Sequence, residues 1–332
     1  MQYSTFAAID IGSYDVILEI FEISKKQGIR SVDKICHRME LGKDTYTLGK
    51  IRPEMEEELC RVLADFVRIM EGYRVDDYRA TASSAISEAS NSLYVLGKIH
   101  QLTGFSVTVL SNSEQRFLSY KALAAMEDNF NKIIEKGTAI LDLDGGSFQI
   151  SLFDKDALVT TQNIRMGSLR IRERLAGIQS ETEHYEEMVE ELIWNEVSSF
   201  KKMYLKDRKI ENIMLIGDVF TDSVYQNIEE KTTKIISREN FNTWYEKIIR
   251  QSPMELAVKL GIPLENASLM YPSAVIYKCL IDMMGAEHIW IPGVHMTRGI
   301  AYEYAEQMKL LKGGHNFEND ILMAAKNIGK RY

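Results

Sequence analysis

The chain is poor in several residue types, and each shortage removes a class of explanation. Its three cysteines, Cys36, Cys60 and Cys279, lie far apart and are odd in number. They show no zinc spacing, and the six histidines form no ligand cluster, so buried thiols in a reducing cytosol are expected rather than a metal centre. No apolar stretch approaches the ~20 residues of a membrane span. No basic leader precedes the first apolar run at Phe6, so a cytoplasmic protein without a signal peptide is expected. Positive charge is also short: 40 Lys and Arg against 48 Asp and Glu give a net charge of −8. That argues against broad nucleic-acid binding but not against a local anion site. There is no low-complexity segment and no Pro/Gly-rich linker.

What the chain does hold is a repeated loop. Residues 139–150 read A-I-L-D-L-D-G-G-S-F-Q-I, and residues 8–18 read A-I-D-I-G-S-Y-D-V-I-L. Each copy is an apolar strand ending in an acid, then a small-residue turn, then a second apolar run. Glycine lets backbone approach an anion, turn amides form a nest, and the carboxylate can hold a cation. Two such loops suggest a duplicated domain around a phosphate-bearing ligand. At 332 residues the chain is long enough for two domains.

Periodicity predicts strands near 6–11, 16–23 and 29–37. A helix opened by Pro53 should bury Leu59, Val62, Leu63, Phe66 and Met70. A strand near 78–81, a helix from about Ser84, a strand near 105–110 and a helix from about Ser113 complete the first half. The second half repeats the pattern, with strands near 138–143, 148–153 and 158–163 and a long helix near 181–205. A strand near 213–216 follows, then helices near 241–250, 253–260 and 265–284. A strand near 288–291 leads to a helix from about Arg298, and a surface helix is expected over 316–332. The expected fold is α/β, two ribonuclease-H-like domains with an interdomain cleft. Boundaries are set at 1–124, 125–312 and a C-terminal helical tail, 313–332.

With these motifs in order, the sequence resembles the exopolyphosphatase/guanosine pentaphosphate phosphohydrolase (Ppx/GppA) family, within the actin, sugar-kinase and chaperone-ATPase superfamily. The likeness rests on Asp10-Ile11-Gly12-Ser13, Leu41-Gly42, Thr81-Ala82-Ser83-Ser84-Ala85, Val109 to Glu114, Asp142 to Ser147, and Met166-Gly167-Ser168-Leu169-Arg170. The resemblance implies Mg²⁺-assisted (or Mn²⁺-assisted) removal of the terminal phosphate from inorganic polyphosphate or pppGpp, in a short two-domain form. It also allows a homodimer. On it, Asp10 and Asp142 are the metal carboxylates, while Gly12, Ser13, Gly145, Gly146, Ser147 and Arg298 are the phosphate contacts.

The chain departs from the family pattern where chemistry is concentrated. Gln115 stands at the general-base position, and an amide cannot take a proton from water; losing a positioned base costs ~10²–10⁴-fold. Glu114 is the neighbouring candidate. Gln149 replaces a second cleft carboxylate, and Ser87 replaces a phosphate-gripping arginine. Asp15, Asp144 and Asp218 add acid to the loops, and a carboxylate ~4 Å from a phosphate oxygen is repelled by roughly 4 kcal/mol at an effective dielectric of 20. Other cationic candidates are Lys43, Arg116, Arg165 and Arg170. The rings of Tyr14 and Phe148 follow the loop serines and would either stack on a base or plug the site. Two functions stay open: a weak or divergent phosphohydrolase, and a non-catalytic binding or regulatory relative.

Overall fold

A computed structural model describes residues 3–126, 130–155, 157–176, 185–205, 208–217, 219–227 and 235–311. The expected helix over 316–332, the start of the helix expected from 181, and Asp218 lie outside the described residues. In chain order the first elements are β1 (Ser4–Ile11), β2 (Asp15–Ser24), β3 (Gly28–Arg38), α1 (Leu41–Leu48), α2 (Pro53–Tyr73), β4 (Asp77–Ala82), α3 (Ser84–Ser87), α4 (Ser92–Thr103), β5 (Val107–Val109) and α5 (Asn112–Met126). Next come α6 (Phe130–Ile134), β6 (Thr138–Leu143), β7 (Phe148–Asp154), β8 (Ala157–Ile164), α7 (Ser168–Leu175) and α8 (Tyr185–Phe200), which runs into a π-helical turn, Lys201–Leu205. The rest are β9 (Asn212–Ile216), α9 (Val219–Asn227), β10 (Ile235–Ser237), α10 (Arg238–Ile249), α11 (Pro253–Leu260), α12 (Leu264–Met284), β11 (His288–Trp290) and α13 (Met296–Gln307).

The chain divides into two compact units, the first built from residues up to 125 with the segment from His295, the second from residues 126–294. In the first, a five-stranded sheet has the order β3-β2-β1-β4-β5. β2 is antiparallel to both of its neighbours, while β4 runs parallel to β1 and β5. Phe6, Ala7, Ala8, Ile9 and Ile11 of β1 are all 0% exposed, because helices cover both faces of this strand. Ala7, Ile9 and Ile11 join a core with Leu59, Leu63 and Phe66 of α2. Phe6 and Ala8 point the other way, into a cluster with Ile300, Ala301 and Tyr304 of α13. Strand alternation therefore sets Asp10 on the α13 face, at the strand end.

That packing corrects the domain reading, which placed residues up to 312 with the second half. Phe6 stacks on Tyr304 with centroids 4.0 Å apart, and Arg79 pairs with Glu303 at 2.7 Å. Gly299 lies so close to Leu118 of α5 that an added Cβ would stand 2.7 Å from the Leu118 carbonyl carbon. Burying each such apolar side chain contributes ~1.5–3 kcal/mol, so the apolar face of α13 holds it on this sheet.

The helix expected from Ser84 is in fact two. The Asn91 side chain accepts from the Ile51 amide at 3.0 Å and donates to the Ile51 carbonyl at 2.8 Å. That tie fixes the break between α3 and α4 and fastens it to the segment before α2.

The second unit has a six-stranded sheet, β10-β11-β9-β6-β7-β8. β7 is antiparallel to β6 and β8, and β9 is parallel to β6 and β11. Read from β8, the order repeats that of the first sheet, with β10 added at the far edge. The fold is thus α/β, with a ribonuclease-H-like arrangement in each unit. Among the described residues no helix is long and apolar enough to cross a membrane.

Candidate functional site

In the first unit the turn between β1 and β2 is closed by the Gly12 amide, which donates to the Asp15 carbonyl at 2.8 Å. A Cβ on Gly12 would stand 2.8 Å from Asp15 Oδ1 and 3.0 Å from the Asp15 carbonyl oxygen, so this turn is tight whether or not a ligand binds. Ser13 is fully buried. Its hydroxyl is 2.8 Å from the Tyr46 hydroxyl, which is in turn 2.8 Å from the hydroxyl of Ser84. Tyr46, on α1, was not foreseen; it sits one helical turn beyond the Leu41-Gly42 motif and joins Ser13 of the loop to Ser84 at the start of α3. Asp10 is half-buried and lies opposite Ile17 and Thr81 in the sheet, with the Thr81 hydroxyl 3.3 Å from its Oδ1.

Asp15 does not add bare negative charge to this loop. Its Oδ2 is 2.8 Å from Nη1 of Arg38, across the β2–β3 pairing, and the Cys36 thiol donates to the same oxygen at 3.7 Å. Asp144 is also accounted for: its Oδ1 accepts from the Gly145 amide at 2.6 Å, a turn-capping bond. The expected repulsion of phosphate is therefore countered locally at Asp15, by Arg38.

The second loop is clasped from behind by α7. The Ser168 amide donates to the Asp144 carbonyl at 3.2 Å, and the Arg170 amide donates to the Gly145 carbonyl at 2.9 Å. Arg170 Nε donates to the Gly146 carbonyl at 2.8 Å, so this cation shapes the loop. A Cβ at Gly167 would fall within 3.0 Å of Asp144 and Gly145 backbone atoms, a distance real Cβ contacts do not reach. The Asp142–Ser147 and Met166–Arg170 motifs are thus two halves of one structure. Gly217, at φ +102°, lies against Asp142 Oδ1, where any side chain would collide.

Gln149 is 5% exposed and pairs across the sheet with Asp142 on one side and Asn163 on the other. Its Oε1, like Oδ1 of Asn163, is buried with no hydrogen-bond partner among the described residues. Asn163 escaped sequence reading because only the strand register reveals it.

Glu114 has a structural task. Its Oε2 accepts from the Ser111 amide at 2.8 Å and from the Ser111 hydroxyl at 2.7 Å, while its own amide donates back to that hydroxyl at 3.3 Å. This is a capping box at the start of α5. The Ser111 hydroxyl, and then its amide, hold the Glu114 carboxyl below its ordinary pKa, which makes it a weaker base. Gln115 is half-buried one residue on, and Ser87 is exposed at the end of α3. Arg298 is half-buried in the first turn of α13. Arg116 is buried and reaches Ser113 at 3.3 Å, while Lys43 and Arg165 are exposed. Tyr14 and Phe148 are 8% and 1% exposed, so they pack inside the protein and offer no open face to a base.

Among the described residues no three His, Cys, Asp or Glu side chains gather into a metal cage. Single strand-end carboxylates do suit Mg²⁺, which keeps several waters and takes one or two carboxylates.

The model of the Ppx/GppA phosphatase family matches residues 19–308. The chain belongs to that family. Among solved Ppx/GppA-like structures, an exopolyphosphatase from Cytophaga hutchinsonii superposes with a TM-score of 0.79 at 18% identity, covering 94% of this chain and 100% of that one. The Aquifex aeolicus family member gives 0.72 at 17% identity, covering 92% and 99%. Among curated proteins, the Fusobacterium nucleatum bifunctional 3-dehydroquinate synthase/phosphatase is 21% identical over 85% of this chain and 44% of its own length. Exopolyphosphatase 1 of Mycobacterium leprae is 25% identical over 43% of this chain and 41% of its own. The chain therefore spans less than half the length of these curated relatives. It is an exopolyphosphatase-like Ppx/GppA protein.

Proposed function

We propose that this protein binds inorganic polyphosphate or a guanosine polyphosphate such as pppGpp, and removes the terminal phosphate only slowly. The observation that supports this reading is at the start of α5: the resemblance puts Gln115 at the base position, and the adjacent carboxylate, Glu114, accepts two hydrogen bonds from Ser111. Asp10 and Asp142 would each hold Mg²⁺ or Mn²⁺ through retained water, and the ion when bound would neutralise charge on the phosphate oxygens. Gly146, Ser147 and Arg298 are the groups we assign to phosphate contact, with Gly12, Ser13 and Gly145 shaping the turns behind them. Without a carboxylate base, water oriented by the Gln115 amide would attack the terminal phosphorus as the bridging P–O bond breaks, and would pass its proton to a phosphate oxygen late in the reaction.

A second reading, a binding or regulatory protein without turnover, is favoured by one observation. The Gly12 and Gly145 amides and the Ser13 hydroxyl are all engaged within the fold. Phosphate release from polyphosphate and pppGpp with Mg²⁺ or Mn²⁺, read beside thermal shift with the same ligands, separates the two. Slow release with a thermal shift supports hydrolysis, and a shift without release supports the second reading. Turnover in the usual enzymic range of about 1–10³ s⁻¹ would sink both. So would the absence of release and shift together.

A further inference from the structure

A buried carboxylate of the first unit is bonded to the first turn of α13. Glu19 of β2 is 5% exposed, and its register partner Ala8 belongs to the apolar cluster that α13 covers. It therefore shares a face of the sheet with Asp10, whose partner Ile17 stands two residues, about 7 Å, along the same strand. Two hydroxyls reach it. Thr297, fully buried one residue before Arg298, donates to Oε2 at 2.5 Å, and Ser31 of β3 donates to Oε1 at 2.6 Å. A bulge brings Ser31 there. The β2–β3 register passes from Ile20 opposite Asp33 to Phe21 opposite Ser31 and leaves Val32 unpaired. Without that extra residue Val32 would stand opposite Phe21, and Ser31 would face the other side of the sheet.

We propose that Glu19 is a positioning residue: through Thr297 it fixes the first turn of α13, and so the place from which Arg298 reaches phosphate. A buried acid is costly unless its charge is satisfied, and an apolar side chain would fill the same place on β2 at no such cost. Glu19 instead takes one hydroxyl from β3 and one from α13, with no ion pair among the described residues. Apolar burial is non-directional, so the contacts of Ile300, Ala301 and Tyr304 hold α13 on the sheet without setting its rotation. A hydrogen bond to a charged acceptor is directional and roughly twice as strong as a neutral one. It acts where precision matters, because successive helix positions are about 100° apart and a turn of the helix at Thr297 re-aims Arg298 equally. Glu19 has this role only if Arg298 contacts phosphate, the reading given above.

The test is a double-mutant cycle on ligand affinity. Binding of a short inorganic polyphosphate with Mg²⁺ is measured by calorimetry on the full chain, with urea midpoints read for the same proteins. Thr297→Val keeps the side chain's shape and removes the donor. It should weaken binding by about 10-fold, within the ~10²-fold that a 1 Å misplacement can cost. Glu19→Met should match it, and Thr297→Ser, which keeps the hydroxyl, should bind as wild type does. Beside Arg298→Met, Thr297→Val should change affinity by less than about 2-fold, while its effect on the urea midpoint stays the same in both backgrounds. A merely structural role would not give that split. Ser31→Ala, at an exposed position, should weaken binding by about 3-fold and also fall silent beside Arg298→Met. It carries the cycle alone if circular dichroism shows the buried variants misfolded. The proposal is overturned if the folded variants bind as wild type does, or if they weaken binding equally with and without Arg298. If Arg298→Met binds as tightly as wild type, or wild type does not bind, the phosphate reading itself fails and this role falls with it. Loss of binding in Arg298→Met, with none in the Thr297, Glu19 or Ser31 variants, sinks the role of Glu19 alone.

Discussion

The Glu114 carboxylate closes on Ser111, accepting from both its amide and its hydroxyl at 2.8 and 2.7 Å. One residue type in one place thus has two competing uses. A base must be free to approach water, whereas a cap must stay on the first turn of its helix. The two bonds to Ser111 favour the ionised carboxylate and commit it to the second use.

Replacing either partner should cost about 1 kcal/mol of stability, as loss of a helix cap does. Glu114 has its carboxyl pKa lowered on folding, so its contribution is present above its ordinary value of 4.5 and lost as pH falls through the lower folded value. Urea midpoints of wild type and Glu114→Ala should therefore differ near neutral pH and draw together well below pH 4.5. Equal midpoints near neutral pH would mean that the box contributes nothing.

Gly167 argues for a second measurement. Its neighbours Ser168 and Arg170 hold the Asp144–Gly146 backbone, and it has no room for a Cβ. Gly167→Ala should destabilise the protein by about 3 kcal/mol, the upper part of the overpacking range. Phosphate-ligand binding should be lost along with it, since α7 can no longer clasp the loop. A variant with wild-type denaturant midpoint would show that the loop yields easily.

How far the sequence anticipated this depends on what each element's signal was made of. β1 and β6 were legible because both faces are buried and the apolar runs end in an acid. α7 was missed because Ser168–Leu175 carries four charged residues, Arg170, Arg172, Glu173 and Arg174, which hide the buried Leu169, Ile171 and Leu175. β10 has three residues, too few for any period. The helix periodicity of α13 gave its existence but could not say which sheet Ile300 and Tyr304 would cover. At the site, the loop acids were found as residues, but their partners were not. Arg38 beside Asp15 and Asn163 beside Gln149 follow from register, which a one-residue slip would change completely. The S-x-x-E pattern of Ser111 and Glu114 was visible and describes a cap as well as it describes a motif.

The Asp15–Arg38 pair predicts a compensating effect. Arg38→Met leaves a carboxylate whose side chain is 12% exposed without its cation. The cost should be about 2 kcal/mol, less than the ~3–5 for a fully buried pair because Arg38 is itself partly solvated. Asp15→Asn with Arg38→Met should recover most of the loss, measured as a double-mutant cycle in urea. Additive losses would mean that the two side chains do not act together.

Gln115→Glu tests the chemistry. If the amide at this position is what limits water activation, a carboxylate there should raise phosphate release from polyphosphate or pppGpp by about 10²-fold or more. The gain should appear in kcat, because a base acts on the water and not on ligand affinity. It should also bring a new dependence on pH, with activity falling as the introduced carboxyl is protonated. Glu114→Gln in the same background should leave that gain in place, since Glu114 belongs to Ser111. If Gln115→Glu releases phosphate no faster than wild type while still binding the ligand, the missing base is not what holds the reaction back, and the proposal of slow hydrolysis for want of a base fails.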